Sequence, residues 1–321
     1  MLITTTEALY ELDLSDDAPQ PQRLRDQPPA AESEGGLYRV LVGPRGAVTA
    51  IPTVSPRPSH EASGPIVVDA DLGEPVACVL LLTEEHGLEA LIGTEGAHLY
   101  RLKEGSIGRV EGFDELTVRS QWHTPWGGPP AVRSMAMSPD GTIYADIHVG
   151  SIIRSGDHGK NWEPVTPDLH QDVHQVATSA ANAMRVYANT ANGPWVSDDH
   201  GLTWAHRAEP LGNRYGRAVA VDPDDPDLML ATVSDGPHGD NVHGQLYRSE
   251  DAGRSWEQVA DPFPESTPEN INTHRLLFAR PTRTEPALAL VANDTKLYAA
   301  TDRAAAWRVL CELPEPIERI G

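Results

Sequence analysis

An eight-residue phrase written three times constrains this chain more than any other feature. Ser-x-Asp-x-Gly-x-x-Trp occurs as "SGDHGKNW" (Ser155, Asp157, Gly159, Trp162), "SDDHGLTW" (Ser197, Asp199, Gly201, Trp204) and "SEDAGRSW" (Ser249, Asp251, Gly253, Trp256). A degenerate fourth copy, "ATDRAAAW", ends at Trp307, and the four tryptophans stand 42, 52 and 51 residues apart. That period is the length of one propeller blade. Each unit also repeats one inner grammar: an apolar strand, a Pro/Asp/Gly turn, a Tyr/Ala/Val-rich strand, a short strand ending in Ser, the octet, and a last strand opening at Trp. The octet reads as a hairpin device, in which Asp accepts from turn amides, Gly takes the positive φ and Trp packs over the turn.

The phrase resembles the Asp-box, or BNR, repeat of sialidases, sortilin-type ectodomains and photosystem II assembly factors of the Ycf48 kind. The resemblance covers most of the chain and is strongest from 131 to 311. It implies that the box sits on the turn between third and fourth strands, away from the functional face. The box residues, with His158 and His200 inside them, are therefore expected to be structural.

The expected fold is all-β: a single propeller over 1–321 of about seven four-stranded blades, with six as the alternative count. The blades are placed at 1–25 plus 315–321, 36–73, 75–113, 131–166, 172–208, 215–260 and 271–311. The C-terminal "PIERIG" supplies the first strand that "MLITTTEALYELDLS" lacks, so both chain ends share one blade and no sheet edge is left frayed.

Aligning the innermost strands at their starts puts a basic residue in one register six times: Arg39, Arg133, His174, Arg217, Arg275 and Arg319, with Cys78 the neutral exception. In a propeller these positions encircle the mouth of the central channel. Gathered like charges cost free energy unless something answers them. One reading is an anion site, for a carboxylate, sulfate, phosphate, acidic sugar or acidic peptide held by guanidinium forks. The other is a structural ring in which each Arg pairs with a neighbouring blade.

The loops expected at the same mouth are unusual. "DELTVRSQWHTPWGGPPA" carries Trp122, His123 and Trp126; "SDGPHGDNVHG" carries Asp235, His238, Asp240 and His243; "TVSPRPSHEASG" adds His60 and "DIHVG" adds His148. Long loops on one rim are where rigid scaffolds keep function, and aromatics beside cations suit a sugar or acidic ring ligand. No cofactor is expected. A divalent metal on His238, His243 and Asp240, completed by His123, His148 or His174, is the alternative, although no metal motif matches.

For chemistry, the sequence leaves three readings. A sialidase needs an Arg-Ile-Pro signature and a Tyr-Glu pair; neither stands out, although Tyr38 and Tyr215 lie near Arg39 and Arg217. A glycosidase needs two carboxylates at a set separation, and a uronate lyase needs Arg to neutralise its substrate and His123, His174 or His238 as base. The third reading is a non-catalytic propeller that binds a ligand or a partner protein, as the resemblance to assembly factors implies through their arginine patch. Binding is the expected function, with a carbohydrate-active enzyme on an acidic sugar as the alternative.

Composition trims the partner list. With 47 acidic against 25 basic residues the formal charge is −22, which repels nucleic acid and anionic membranes. Only Lys103, Lys160 and Lys296 are lysines. This Lys-poor, acidic make-up suits a protein from a salt-loving organism, or equally one encoded by an Arg-rich genome. The longest apolar stretch, "VACVLLL", is strand-sized, so no membrane span is expected. Cys78 and Cys311 lie far apart in strand-like runs and read as reduced thiols. With an N-terminus that reads as structure, a cytoplasmic monomer is expected.

Overall fold

The computed structural model describes every residue except Asp17, Gly36, 54–64, 83–86, 166–167 and Arg283; His60 lies outside the described residues. Seven four-stranded antiparallel sheets are present, the blades of a seven-bladed β-propeller. Among the described residues helix is limited to a single turn, Glu111–Asp114, and a 3-10 segment, Thr117–Gln121.

The chain divides into two compact units. One comprises 29–137 and 141–164 and holds three sheets. Their first strands are Ala31–Glu34, Val76–Leu81 and Val132–Met137. The other comprises 1–28, 138–140 and 165–321 and holds four. Three of these begin at Val173–Ser179, Tyr215–Val221 and Leu276–Ala279. The fourth joins Ile317–Ile320 to Leu2–Thr5, so both chain ends do share one sheet, in the order expected. First strands of successive sheets are neighbours from Ala31–Glu34 through Val76–Leu81 to Val132–Met137 in one unit. In the other they are neighbours from Val173–Ser179 through Tyr215–Val221 to Leu276–Ala279, and Ile317–Ile320 lies against the second strand Leu288–Asn293.

One strand differs from the sequence reading. "LYRVLVG" is not an innermost strand: Tyr38–Val42 is the second strand of its sheet, and the first is Ala31–Glu34. The short "AESE" alternates small and acidic residues, so the buried Val40 and Val42 give the stronger hydrophobic signal and draw the strand assignment one position late. Arg39 therefore leaves the inner register.

Sheets stack through the alternate residues of their strands. In the 29–164 unit, Leu91, Leu99, Ile143, Ala145 and Ile153 form one core with Phe113, Trp122 and Trp162. In the other unit, Ala218, Leu230, Leu246, Leu276 and Val291 pack around Phe263 and Tyr298.

The boxes are built as their chemistry requires. The Ser155 hydroxyl donates to Asp157 Oδ1 (2.9 Å) and accepts from the Gly159 amide (2.8 Å), while Asp157 Oδ1 accepts from the amides of Lys160 (3.0 Å) and Asn161 (2.8 Å). The Trp162 indole N–H closes the turn on the Gly159 carbonyl at 3.1 Å. The second box repeats this; in the third, Trp256 donates instead to the Arg207 carbonyl at 2.8 Å. Burial pushes the Asp157 carboxyl up, but the donors from Asn161, Ser155 and Lys160 outweigh it and bring it down to about 2; Asp199 and Asp251 are lowered in the same way. A lowered carboxyl stabilises the fold above its unfolded value near 3.8 and loses that contribution as pH falls through about 2. Acid unfolding of the wild type is therefore expected to steepen between about pH 4 and pH 2. Asp157→Ala should flatten it while costing about 1–2 kcal/mol at neutral pH, as losing a cap does.

The degenerate box keeps the indole closure on a turn with three left-handed residues in a row, where the other boxes have two. Asp302, Arg303 and Ala304 have φ of 50°, 58° and 60°, and the Trp307 indole N–H donates to the Ala304 carbonyl at 2.9 Å. Ala304 thus holds the left-handed position that glycine fills elsewhere. The left-handed penalty of about 1–2 kcal/mol is partly offset by the greater freedom of unfolded glycine. Ala304→Gly is expected to raise stability in urea unfolding by about 0.5–1 kcal/mol.

Candidate functional site

Five of the seven first strands carry a register shift; Ala31–Glu34 and Leu276–Ala279 pair without one. Arg133 lies between Val132, which pairs with Ile147, and Ser134, which pairs with Asp146, so it is the extra residue of a bulge in the ladder. His174 occupies the same bulge between Val173 and Gln175, Ala77 between Val76 and Cys78, and Arg217 with Ala218 between Gly216 and Val219. A bulge re-aims the side chain it carries. The basic register of the sequence is thus a register of bulges, and its neutral member is Ala77 rather than Cys78.

The same bulge in the terminal sheet holds Glu318, because Thr4 pairs with Arg319 and Thr5 with Ile317. Arg319 sits one place beyond it. Arg275 immediately precedes its strand, is 7% exposed, and donates to Glu318 at 3.0 Å. Arg39, on its second strand, is held by Glu34 at 3.0 Å. The charges of Arg275 and Arg39 are therefore answered by neighbouring carboxylates.

Buried polar side chains on the second strands support the bulges. Asn189, fully buried, donates through Nδ2 to the carbonyls of Ala218 (2.7 Å) and Thr232 (2.9 Å). Thr232 accepts from the Ala218 amide at 2.8 Å and donates to the Ile271 carbonyl at 2.9 Å. Ser134 donates to buried Asp146. None of these was singled out from sequence. Their signal is a small residue followed by a polar one late in the second strand: Ala145-Asp146, Ala188-Asn189, Ala231-Thr232.

In the 165–321 unit four side chains converge on this edge. His174 is fully buried; its Nδ1–H donates to the Gly216 carbonyl, and its Nε2 lies 3.3 Å from Asp172 Oδ1 and 3.4 Å from the Tyr215 hydroxyl. The imidazole and the Tyr215 ring are 5.0 Å apart and tilted by 53°, and the Arg217 guanidinium lies 5.0 Å over the Tyr215 ring. Arg217 also donates through Nη2 to the Pro237 carbonyl at 3.0 Å. The Pro237 loop is in turn pinned: Asn270 donates to Gly236 (3.1 Å) and Pro237 (3.0 Å), and Ser234 donates to Asn270 Oδ1 at 2.6 Å. A cation is thus held on an aromatic face and against a braced loop, and the same tyrosine reaches a buried imidazole paired with the half-buried Asp172.

On the 234–244 loop His238 and Asp240 are exposed, while His243 is committed within it, Nδ1 to Asp235 at 2.6 Å and Nε2 to Asn241 at 3.1 Å. That loop does not gather His238 and His243 as a ligand pair. In the 29–164 unit Trp122 is core rather than rim, 8% exposed beside Phe113, because a bulky indole following the 3-10 turn fills the space over the sheet. His123 is exposed and bonded to the Gln121 carbonyl at 2.9 Å. Trp126 is 65% exposed, against the His148 ring.

Residues 150–265 match the family model of sortilin, neurotensin receptor 3. The xyloglucanase Xgh74A of Acetivibrio thermocellus is 24% identical over 213 residues, 54% of this chain and 24% of that protein. The match thus spans about a quarter of the curated relative's length. Among solved structures, an ancestral GH74 enzyme superposes with a TM-score of 0.61 at 14% identity, over 97% of this chain and 40% of that one. YCF48 bound to D1 peptide gives 0.57 at 16% identity over 91% and 90% of the two chains, and YCF48 from Cyanidioschyzon merolae gives 0.59 at 14% over 93% and 87%. These likenesses show the propeller fold. No helix among the described residues is long and apolar enough to cross a membrane.

Proposed function

We propose that this propeller is a binding module that takes a carboxylate-bearing ligand, an acidic peptide segment above all, at Arg217. The observation that carries this reading is the Asp172–His174–Tyr215–Arg217 arrangement, which presents one guanidinium at a fixed angle on a braced edge. In a chain of charge −22 such a position attracts what the rest of the surface repels. The stack on Tyr215 reduces the side-chain entropy lost on binding. Arg133 is offered as a further cation of the same register, and Arg319, one place beyond it, as another. The solved YCF48 with a bound peptide supports a peptide as ligand class.

A charge-assisted hydrogen bond contributes about 1.5–3 kcal/mol. Arg217→Ala is therefore expected to weaken binding of a Glu/Asp-rich peptide by about 10- to 100-fold in calorimetric titration, with Arg217→Lys intermediate because ammonium lacks the fork. Equal affinity for wild type and Arg217→Ala would remove the proposal. A second reading, cleavage of an acidic sugar chain at this edge, draws on the matches to Xgh74A and the GH74 structure. It requires product from an acidic polysaccharide that is abolished by Arg217→Ala.

A further inference from the structure

We propose that the 29–164 unit holds a separate site, for a neutral sugar ring, at Trp126 and the turn 148–151. It shares no residue with the Arg217 proposal. Three observations converge on it.

The first is the platform. Trp126 is 65% exposed yet held: the Gly127 amide donates to the Thr124 carbonyl at 3.0 Å and the Thr124 hydroxyl closes on the Gly128 carbonyl. The indole lies over Gly128, whose Cβ, if it had one, would stand 3.7 Å from Trp126 Nε1, and against the His148 ring at 5.0 Å. An aromatic face kept rigid and open offers stacking area at little entropic cost.

Beside the platform the fold leaves polar atoms unspent. Trp122 Nε1 and Ser151 Oγ are buried and make no hydrogen bond. Both border Gly150: Trp122 Cδ1 would lie 2.9 Å from a Cβ placed there, and Ser151 follows it in sequence. A buried donor without an acceptor costs about 1–3 kcal/mol, so a ligand group or the water it carries has something to repay.

Third, the turn between them is strained. Val149 and Ser151 have φ of 57° and 64°, and a Cβ on Gly150 would meet Ile147 Cγ2 at 2.5 Å. A β-branched residue in the left-handed region is rare, and such strain persists where the surroundings impose it. The turn thus holds Ser151 in place next to Gly150, which borders the Trp122 indole.

The chemistry selects the ligand. Segments 122–131 and 147–151 contain no Asp, Glu, Lys or Arg, in a chain that is 22% charged. The nearby cation, Arg119 over the Trp122 ring, is engaged by the Ala97 carbonyl at 2.6 Å and by Asp114 at 3.9 Å. The two segments themselves carry no charge for an ion to pair with. A pyranose brings an apolar face for the indole and hydroxyls that both donate and accept, which answers an indole N–H and a serine hydroxyl together.

The test uses the full chain, with cellotetraose and xylotetraose as probes and decaproline as the competing ligand class. At least one tetrasaccharide should bind by calorimetry and shift the tryptophan emission. Trp126→Ala should weaken that binding at least about tenfold, Ser151→Ala about threefold, and Arg217→Ala not at all. Trp126 is a surface residue, so its variant should keep the wild-type melting temperature. No binding of either sugar at about 10 mM, unchanged affinity in Trp126→Ala, or Trp126-dependent binding of decaproline alone would each overturn the proposal. Unchanged affinity in Ser151→Ala would overturn the role given to the turn.

Discussion

Phe113→Ala is expected to destabilise the protein by about 3–5 kcal/mol, the usual cost of emptying a buried aromatic site. Phe113 is fully buried on a one-turn helix that no periodicity in the sequence announces. Its ring meets the box residue Trp162 edge-on at 5.3 Å and Trp122 at 5.7 Å, with the Arg119 guanidinium 5.6 Å over it. Gly112 lets the helix approach the box: a Cβ there would stand 2.5 Å from the Lys160 carbonyl oxygen. Removing the ring therefore separates three aromatic groups at once, and their surroundings are backbone-pinned and poorly able to collapse. Urea unfolding followed by far-UV circular dichroism checks this. A loss below about 1 kcal/mol would show that Trp122 and Trp162 close the gap between them.

Gly216→Ala should cost about as much, for a different reason. Gly216 needs no left-handed backbone; it needs room, because a Cβ would lie 1.8 Å from Asn189 Oδ1 and 2.8 Å from the Thr190 carbonyl oxygen. Asn189 would have to move, and its donations to the Ala218 and Thr232 carbonyls would break in a fully buried place. Two stranded acceptors and the residual clash come to about 3–4 kcal/mol. The Gly216 carbonyl is also what fixes His174, so ligand binding at the neighbouring Arg217 should weaken in the variant. A double-mutant cycle with Asn189→Ala isolates the pair. The account expects a coupling of at least about 1 kcal/mol, because the alanine removes the atom that clashes. Strict additivity would show that the two residues act apart.

These sites differ in how far the sequence disclosed them. The boxes were fully legible, since Ser155, Asp157, Gly159 and Trp162 act on one another within eight residues and any copy can be recognised alone. The sharing of a sheet by Leu2–Thr5 and Ile317–Ile320 was legible because a repeat with a missing strand implies its whereabouts. Where the polar strand Ala31–Glu34 broke the hydrophobic grammar, the reading slipped by one strand and took Arg39 with it. The bulges at Arg133, His174 and Arg217 were visible only as aligned charges. A bulge is a property of two paired strands, and no single strand spells it. Arg275 shows the same limit: its partner Glu318 is 43 residues away and belongs to another sheet.

The central claim is that a carboxylate ligand docks on the Arg217 guanidinium. The most direct measurement follows the arginine Nε–Hε resonances of the full chain by NMR while a Glu/Asp-rich peptide is added. The account expects the Arg217 resonance to shift in saturable fashion and that of Arg254, on the third box, to stay still. Saturable shifts at Arg254 with Arg217 unmoved would place the ligand elsewhere and contradict the claim.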